Sequence, residues 1–371
     1  MLTNAPYLAI IDVQLSVFAI IAYSIICLAL VAMILFTKAK LVGSQECHVL
    51  INDDDSLTKT TSAGITLLSA LTGNGVPIPS PCGGKATCKQ CKVQVVEGGG
   101  DPLGTDTATF SKKELKDGWR LSCQCKVKND IKVHIEEHLM GVKEWKAKVI
   151  SNKNVATFIK ELVVEVPEDV PYRSGGYLQF HVSPFSTNTS EWKSTMDEKY
   201  WSDWDTFKLF DKQVDFPDVD IIRAYSMASY PGEGRTIKFN IRIATPPFVA
   251  GKIAEDIPWG ICSSYTFSLK AGDYVHLSCP YGESFMIDDD REIVFLIGGA
   301  GSSFGRSHVM DLFKTQQTKR KVTFWYGARS LKENIYEDDL RKLAEEFDNF
   351  SYNLVLSEPL PEDFEGGWPK D

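Results

Sequence analysis

The sequence has no excess of basic residues and no basic stripe. Its 371 residues carry 40 Lys and Arg against 49 Asp and Glu, a net charge of -9 at pH 7, which argues against a nucleic acid partner. Internal repeats, low-complexity tracts and a Ser-His-Asp arrangement are also missing. His134 and His138 are four positions apart but lack a third ligand, so we expect surface residues rather than a metal site.

Charge is absent altogether from one long run near the N-terminus. Residues 13–36 contain no Asp, Glu, Lys or Arg, and a run of this length crosses about 30 Å of hydrocarbon as one helix. A secretory signal peptide would require a basic residue before the apolar run, and no Lys or Arg precedes this one. Lys38 and Lys40 follow it, so the positive-inside rule predicts a single-pass anchor over residues 1–40 with the N-terminus outside. The alternative is a buried helix of a soluble protein.

The cysteines are too few and too unevenly placed for a disulfide framework. There are 9, an odd number, and five of them fall in one stretch: Cys82, Cys88, Cys91, Cys123 and Cys125. The spacing C-x5-C-x2-C, followed later by Cys123, allows four thiolates to converge on an iron-sulfur cluster. Gly83 and Gly84 permit the unusual backbone of a loop that wraps a cluster.

A structural zinc site is the alternative. Cys125 is a rival fourth ligand, because a strand over LSCQCKV would place it on the same face as Cys123.

This cysteine stretch resembles a 2Fe-2S ferredoxin domain of the type with five residues between the first two ligands. The resemblance implies an α+β, β-grasp fold for residues 41–140. It also implies that Cys125 has no ligand role and that the cluster ligands are Cys82, Cys88, Cys91 and Cys123.

Two patterns in the second half of the chain suit a flavin. Arg223, Tyr225 and Ser226 form R-x-Y-S at the end of a predicted strand. Arg can pair with a pyrophosphate, an aromatic ring can cover a flavin face, and a hydroxyl can reach a ring atom. Further on, Gly260 and Ser263 can bring backbone N–H groups and a hydroxyl to a phosphate at the start of a helix.

A third pattern suits a dinucleotide. From Arg291 onward the chain reads as strand, Gly-rich turn, helix and strand. Gly299 and Gly301 permit close backbone approach to a pyrophosphate, although Gly305 falls one residue late for a strict G-x-G-x-x-G. Arg329 is placed where it can favour a 2'-phosphate, so the choice between NADH and NADPH stays open.

The order of these patterns from Lys146 onward resembles the ferredoxin-NADP reductase superfamily. The resemblance implies an antiparallel β-barrel flavin domain over residues 141–288 and an α/β, Rossmann-like nucleotide domain over 289–371. We expect the C-terminal part of the latter to be missing, because the chain ends before the family's Cys-Gly-Pro-Pro segment. Tyr225 and Ser226 are the expected catalytic residues, with Ser226 nearest the reactive ring edge. The expected cofactor-binding residues are Arg223, Tyr225, Ser226, Gly260, Cys262, Ser263, Ser264, Gly299, Ala300 and Gly301.

With its anchor and iron-sulfur domain, the whole chain resembles the family of NADH-oxidising, iron-sulfur flavoprotein components of the sodium-translocating NADH:quinone oxidoreductases. That resemblance implies hydride transfer from NADH to FAD, then single electrons through the 2Fe-2S cluster to other integral membrane subunits and indirectly to quinone. It implies a bacterial inner membrane location with the soluble domains in the cytoplasm.

Two alternatives stay open. One is an anchored reductase that supplies an oxygenase. The other is a non-catalytic relay protein, suggested by SSFG after GGAG, where the family usually has an apolar run with Pro, and by the end at Asp371.

One segment of the sequence has no role in these patterns. Residues 188–220 interrupt the strand pattern with Trp192, Trp201 and Trp204 among many carboxylates. We expect a solvated surface insertion.

Overall fold

The computed structural model describes residues 5–42, 45–76, 78–136, 144–249, 252–254, 256–282, 284–365 and 367–368. The chain divides into two compact units. The first comprises Met1–Ile78 and Gly84–Met140, and the second comprises Pro79–Gly83 and Gly141–Asp371. His138 lies outside the described residues, whereas His134 is exposed.

The first unit begins with a long apolar helix, α1 (Ala5–Val42). Within it, Leu15–Ile34 is a 20-residue stretch of mean hydropathy 2.8 with none of its hydrophobic window buried. Large apolar side chains such as Phe18 stay 71% exposed. By length and composition this helix can cross a membrane, as the sequence predicts.

The rest of the first unit is a mixed sheet of five strands in the order β2-β1-β5-β3-β4. The strands are β1 (Glu46–Ile51), β2 (Asp54–Ser62), β3 (Lys92–Glu97), β4 (Trp119–Leu121) and β5 (Ile131–His134). The pair β1/β5 is parallel and the other pairs are antiparallel. Three short helices accompany them: α2 (Leu67–Thr72), α3 (Gly104–Thr107) and α4 (Lys112–Lys116). The Thr66 side chain caps α2 by accepting from the Ser69 amide. Helix α2 then buries its leucines against the sheet.

The second unit contains an antiparallel sheet of six strands in the order β11-β8-β15-β6-β7-β12. These strands are β6 (Glu144–Ala156), β7 (Ile159–Glu165), β8 (Tyr177–Val182), β11 (Ile221–Ser226), β12 (Thr236–Arg242) and β15 (Tyr274–Tyr281). Two short antiparallel pairs lie outside this sheet: β9 (Phe185–Asn188) with β10 (Gln213–Phe216), and β13 (Phe248–Val249) with β14 (Lys252–Ile253). A bridge between Met227, directly after β11, and Phe239 in the middle of β12 joins the two edge strands. The inner face packs side chains such as Leu162, Phe180 and Leu277 into one core.

The second unit also contains a parallel sheet in the order β16-β17-β18. Its strands are β16 (Ile293–Gly298), β17 (Val322–Ala328) and β18 (Phe350–Leu356), and the helices of this half are α7 (Ser302–Met310), α8 (Glu337–Glu346) and α9 (Pro361–Glu365). One face, with Phe295 and Phe324, packs against α7 and α8. On the other face Leu296 stays 78% exposed, although parallel sheets are normally covered on both sides.

The expectation of a solvated insertion at residues 188–220 was wrong. Trp192 and Trp204 are 1% and 0% exposed, and they pack with Phe267, which lies on another element. The insertion includes a short helix, α5 (Trp201–Thr206). Its carboxylates misled the sequence interpretation, because the apolar surface of the tryptophans determines which side of the segment faces the core.

Candidate functional site

The first candidate site lies at one end of the antiparallel strand pair β3/β4. Lys92 pairs with Leu121, and the Ser122 amide donates to the Cys91 carbonyl at 2.8 Å. This register brings Cys91 and Cys123 together, because each lies just outside its strand. Both are buried, at 0% and 5% exposed.

The Cys123 sulfur is surrounded by hydrogen-bond donors. Donation from the Cys91 thiol is the main cause that lowers the pKa of Cys123 to about 6, against the opposing effect of burial. The Ala86 amide and the Gln124 side chain also donate, the latter with Nε2 3.6 Å from the sulfur. The pKa of Cys91 is raised by its hydrogen bond to Cys123 and by burial. The two thiols therefore share a hydrogen bond, and a metal ion between them would bind both as thiolates.

The loop between the cysteines has the backbone that a cluster loop needs. Gly84, Ala86 and Lys89 all have left-handed φ angles, of 85°, 61° and 58°. At Gly84 an added Cβ would lie 3.9 Å from Cβ of Cys123. The loop therefore passes close to Cys123, where a side chain would occupy the space.

No group of three or more His, Cys, Asp or Glu side chains surrounds a single position in the part of the chain that is described. A cluster of two irons and four cysteines divides its thiolates between the irons, so a thiol pair is the relevant unit. Cys91 and Cys123 form such a pair. Cys88 belongs to the same unit, and Cys82 lies in the short segment that groups with the second unit.

The strand expected over LSCQCKV ends early. Strand β4 stops at Leu121, and the amides of Gln124 and Cys125 both turn back to the Leu121 carbonyl. The argument that Cys123 and Cys125 share a strand face was therefore wrong. The Cys125 thiol donates to the Gly99 carbonyl with a separation of 3.8 Å, and burial raises its pKa.

In the second unit, the R-x-Y-S residues lie on β11 opposite β8. Arg223 is opposite Phe180 and Tyr225 is opposite Leu178, so Arg223 and Tyr225 share one face and Ser226 lies on the other. The Tyr225 ring meets Phe180 edge to face with centroids 5.2 Å apart. Ser226 is exposed.

The second flavin pattern meets the first through a buried hydrogen bond. The Tyr225 hydroxyl donates to the Cys262 sulfur, and burial raises the pKa of Cys262 to about 12. Cys262 lies in the first turn of α6 (Ile261–Ser268), the helix that begins directly after Gly260. The fold thus brings together two motifs that are far apart in the sequence.

The N-terminus of α6 has no side-chain cap. Ser263, which we expected to reach a phosphate, instead donates to the Gly260 carbonyl at 3.0 Å and accepts from the Ala244 amide at 3.1 Å. The Ser264 hydroxyl is fully buried and has no hydrogen-bond partner among the described residues. The uncapped amides, rather than Ser263, are suited to bind an anion.

A pocket of about 600 Å³ opens at the carboxyl ends of the three parallel strands. This is the edge where open α/β sheets bind nucleotides. Its lining residues are Phe158, Ile159, Arg242, Gly298, Gly299, Ala300, Gly327, Ala328, Arg329, Glu333, Val355 and Ser357. Gly299 and Ala300 were expected there, and Gly299 adopts a φ of 53°. Gly301 is not part of the lining. Phe158, in the turn between β6 and β7, and Arg242, at the end of β12, were missed, because they come from the antiparallel half of the unit.

Gly305 has a packing role. An added Cβ would lie 2.8 Å from the Phe324 ring, so glycine lets α7 approach β17 closely. The preceding serines, which depart from the family pattern, bind the neighbouring sheet. Ser303 Oγ accepts from the Asn240 amide at 3.0 Å, and Ser302 Oγ accepts from Asn240 Nδ2 at 2.8 Å.

A buried ion pair also joins the two sheets of the second unit. Arg306 on α7 is 4% exposed and donates to both carboxylate oxygens of Glu233 at 3.0 Å. It further donates to Asp339 at 3.2 Å and to the Ala228 carbonyl at 3.0 Å. Burial alone would raise the pKa of Glu233, but the hydrogen bonds and charge of Arg306 and Lys238 hold it below its ordinary value.

Comparison with known proteins gives three findings. Residues 51–128 match the family of 2Fe-2S iron-sulfur cluster binding domains. The F subunit of the Na(+)-translocating NADH-quinone reductase of Chlamydia caviae is 57% identical over 358 residues, which cover 95% of this chain and 83% of that protein. The protein of the same name in Haemophilus ducreyi is 48% identical over 349 residues, or 94% and 84% of the two chains.

Among solved structures, the crystal structure of Amycolatopsis cytochrome P450 reductase GcoB matches with a TM-score of 0.53 at 22% identity. The match covers 85% of this chain and 83% of that one. It supports the fold alone.

Proposed function

The chain belongs to the family of F subunits of the Na(+)-translocating NADH-quinone reductase, and we propose that it is the membrane-anchored component that takes electrons from NADH. It is an oxidoreductase that uses FAD and a 2Fe-2S cluster. Electrons leave it singly for other subunits of the complex and reach quinone through them.

We assign four functional segments to the chain. Residues 1–40 form the membrane anchor, and residues 41–140 form the iron-sulfur domain with a β-grasp arrangement. Residues 141–288 form the flavin barrel, which the bridge between the edge strands supports. Residues 289–371 form the nucleotide-binding, Rossmann-like part, which the parallel strands and their crossover helices support.

We assign the cluster ligands as Cys82, Cys88, Cys91 and Cys123. Support comes from the Cys91–Cys123 pair and from the left-handed loop that leaves room beside it. The cluster supplies one-electron transfer when bound. The donors of Ala86 and Gln124 stabilise negative charge on the Cys123 sulfur, which tunes the electron affinity of such sites.

We assign the flavin-binding residues as Arg223, Tyr225, Ser226 and the segment 260–264. FAD supplies the change from a two-electron donor to one-electron steps. The uncapped N-terminus of α6 and the unpartnered Ser264 hydroxyl suit a bound phosphate. The Tyr225–Cys262 hydrogen bond holds the aromatic ring and the helix start in register.

The observation that carries the proposal is the pocket at the carboxyl ends of β16, β17 and β18. It lies in the same compact unit as Tyr225 and Cys262, and Phe158 of the antiparallel sheet forms part of its wall. We propose that NADH binds here, with Gly299, Ala300 and Gly301 as the turn that approaches its pyrophosphate. Gly301 directly precedes α7 and contributes to the site by setting the start of that helix.

We propose that α1 lies in the bacterial inner membrane, with the N-terminus outside and the chain that follows α1 in the cytoplasm. The lysines after the apolar run support this orientation. Protease treatment of right-side-out and inverted vesicles tests it. Digestion of the soluble units in right-side-out vesicles would contradict it.

The main experiment is a visible spectrum of the detergent-solubilised full chain before and after anaerobic addition of NADH. We expect flavin and iron-sulfur bands, both of which bleach. Cofactor bands that do not bleach would contradict NADH oxidation and favour the relay alternative. Stoichiometric zinc without iron or acid-labile sulfide would contradict the cluster.

The anchored oxygenase reductase makes the same cofactor predictions and differs in its electron acceptor. Reconstitution with the membrane subunits of a related complex separates the two. We expect NADH-dependent quinone reduction, and its absence with active bound flavin would favour the oxygenase reductase.

A further inference from the structure

The insertion at residues 188–220 contacts the region next to the nucleotide pocket. Three segments meet there: α5 of the insertion, the β6–β7 turn and the loop that follows β17. We name the contact the Asp203 cluster, which consists of Asp203, Thr157, Lys332 and Glu333.

Asp203 is the insertion's member of this cluster. Its Oδ2 accepts from Lys332 Nζ at 2.7 Å and lies 3.4 Å from the Thr157 hydroxyl oxygen. On the same side, the Trp204 indole N–H donates to the Thr157 carbonyl at 2.7 Å, and the Tyr200 hydroxyl donates to the Lys332 carbonyl at 3.4 Å. The insertion is therefore bound to the loop after β17 by two hydrogen bonds and to the β6–β7 turn by the Trp204 hydrogen bond.

The cluster continues directly to the pocket wall. The Thr157 amide donates to Glu333 Oε2 at 3.2 Å, and the Thr157 hydroxyl donates to the same carboxylate. Glu333 lines the pocket and lies 3.7 Å from Nη2 of Arg329, which also lines it. Phe158, the residue after Thr157, is a further lining residue.

The ion pair is poorly placed to serve stability alone. The side chains of Lys332 and Asp203 are 24% and 31% exposed, and partly exposed pairs contribute little to the free energy of folding. Lys332 lies in a short 3-10 helix, Leu331–Glu333, that follows Arg329, and both Arg329 and Glu333 line the pocket.

We propose that Asp203 is a positioning residue through which the insertion holds the loop at 329–333 against the β6–β7 turn, in the shape that binds NADH. The inference rests on the proposed function, because it takes the pocket to be the NADH site. Asp203 acts through Lys332, while its neighbour Trp204 binds Thr157, and Asp203 does not itself line the pocket.

The test compares variants of the full detergent-solubilised chain loaded with both cofactors. Stopped-flow bleaching of the flavin is measured against NADH concentration, and NAD+ binding is measured separately by equilibrium dialysis. For Asp203→Asn we expect half-saturation to need about tenfold more NADH, with a limiting rate within about twofold of wild type. NAD+ binding weakens by the same factor.

Three further variants sharpen the result. Lys332→Gln reproduces the effect, and the double variant adds nothing, because both substitutions break one contact. Asp203→Glu restores most of the affinity. Asp205→Asn changes an exposed carboxylate on the same helix and leaves half-saturation unchanged.

The outcomes separate the two levels of inference. If the wild type binds NAD+ but does not bleach, the proposed function is wrong while the dialysis comparison still tests Asp203. If wild type bleaches and Asp203→Asn matches it in both assays, the positioning role is wrong. Loss of the flavin bands in Asp203→Asn would also overturn it, since the insertion would then support the barrel instead.

Discussion

The iron-sulfur site and the nucleotide pocket are built in different ways. Cys88 and Cys91 lie on one loop, and the pairing of β3 with β4 brings Cys123 to Cys91. The pocket instead takes Phe158, Arg242 and Ser357 from segments that are distant along the chain. A site built largely from one loop leaves a spacing pattern in the sequence, whereas a site built from distant segments does not.

The largest expected effect tests whether the iron-sulfur site is independent of the flavin site. Cys88→Ala removes one assigned thiolate, so we expect complete loss of the iron-sulfur absorbance. Flavin bleaching by NADH should stay within about twofold of wild type, because flavin reduction precedes the cluster. Cys125→Ser is the matched control and keeps the cluster. Loss of both signals in Cys88→Ala would mean that the two sites are not independent.

The next effect concerns the ion pair that joins the two sheets of the pocket unit. Glu233→Gln leaves part of the buried Arg306 charge uncompensated, so we expect a loss of about 3 kcal/mol in the free energy of unfolding at pH 7. Denaturant unfolding followed by flavin release measures it. Glu165→Gln, which removes an exposed partner of Arg235, is the control and should cost about 0.5 kcal/mol or less.

The same pair predicts a pH dependence. The pKa of Glu233 is lowered in the folded protein, so its contribution is complete above the unfolded-state value and is lost as pH falls through the folded-state value. Wild type should therefore lose stability below pH 4.5, the ordinary value for Glu. Over the same pH range the Glu233→Gln variant should lose less free energy of unfolding than wild type loses. Parallel curves for the two proteins would contradict this assignment.

A smaller effect tests close packing beside the pocket. Gly305→Val places a side chain against Phe324, which we expect to cost about 2 kcal/mol in the free energy of unfolding. Gly301→Ala is the comparison variant, because Gly301 directly precedes α7 and an added Cβ there meets Ile297 at an ordinary 3.9 Å. Thermal unfolding of both variants measures whether Gly305→Val is the less stable of the two. The iron-sulfur absorbance should stay unchanged, and equal melting temperatures would contradict the packing role.

The smallest effect concerns Ser226. Ser226→Ala should slow flavin reduction roughly tenfold without flavin release, because one hydroxyl near the reacting ring contributes that order of stabilisation. Stopped-flow bleaching at saturating NADH measures the rate. Ser268→Ala, at the other end of α6, is the control. Unchanged kinetics in Ser226→Ala would show that Ser226 is not beside the reactive edge.

The sequence by itself determined the features that depend on local spacing and composition. The uncharged run predicted helix α1, and C-x5-C-x2-C predicted the iron-sulfur domain that the match over residues 51–128 confirms. Strand, glycine turn and helix at 293–310 were also visible, because each needs only neighbouring residues. The ligand and cofactor residues stay predictions.

Tertiary structure decided the features that depend on distant partners. The burial of Trp192 and Trp204 against Phe267 of another element overturned the view of a solvated insertion. The Ser263 hydroxyl accepts from the Ala244 amide, and the nucleotide pocket takes Phe158 and Arg242 from earlier segments of the chain. Such outcomes depend on which segment packs nearby, and a short spacing pattern carries no information about a partner that is distant in the sequence.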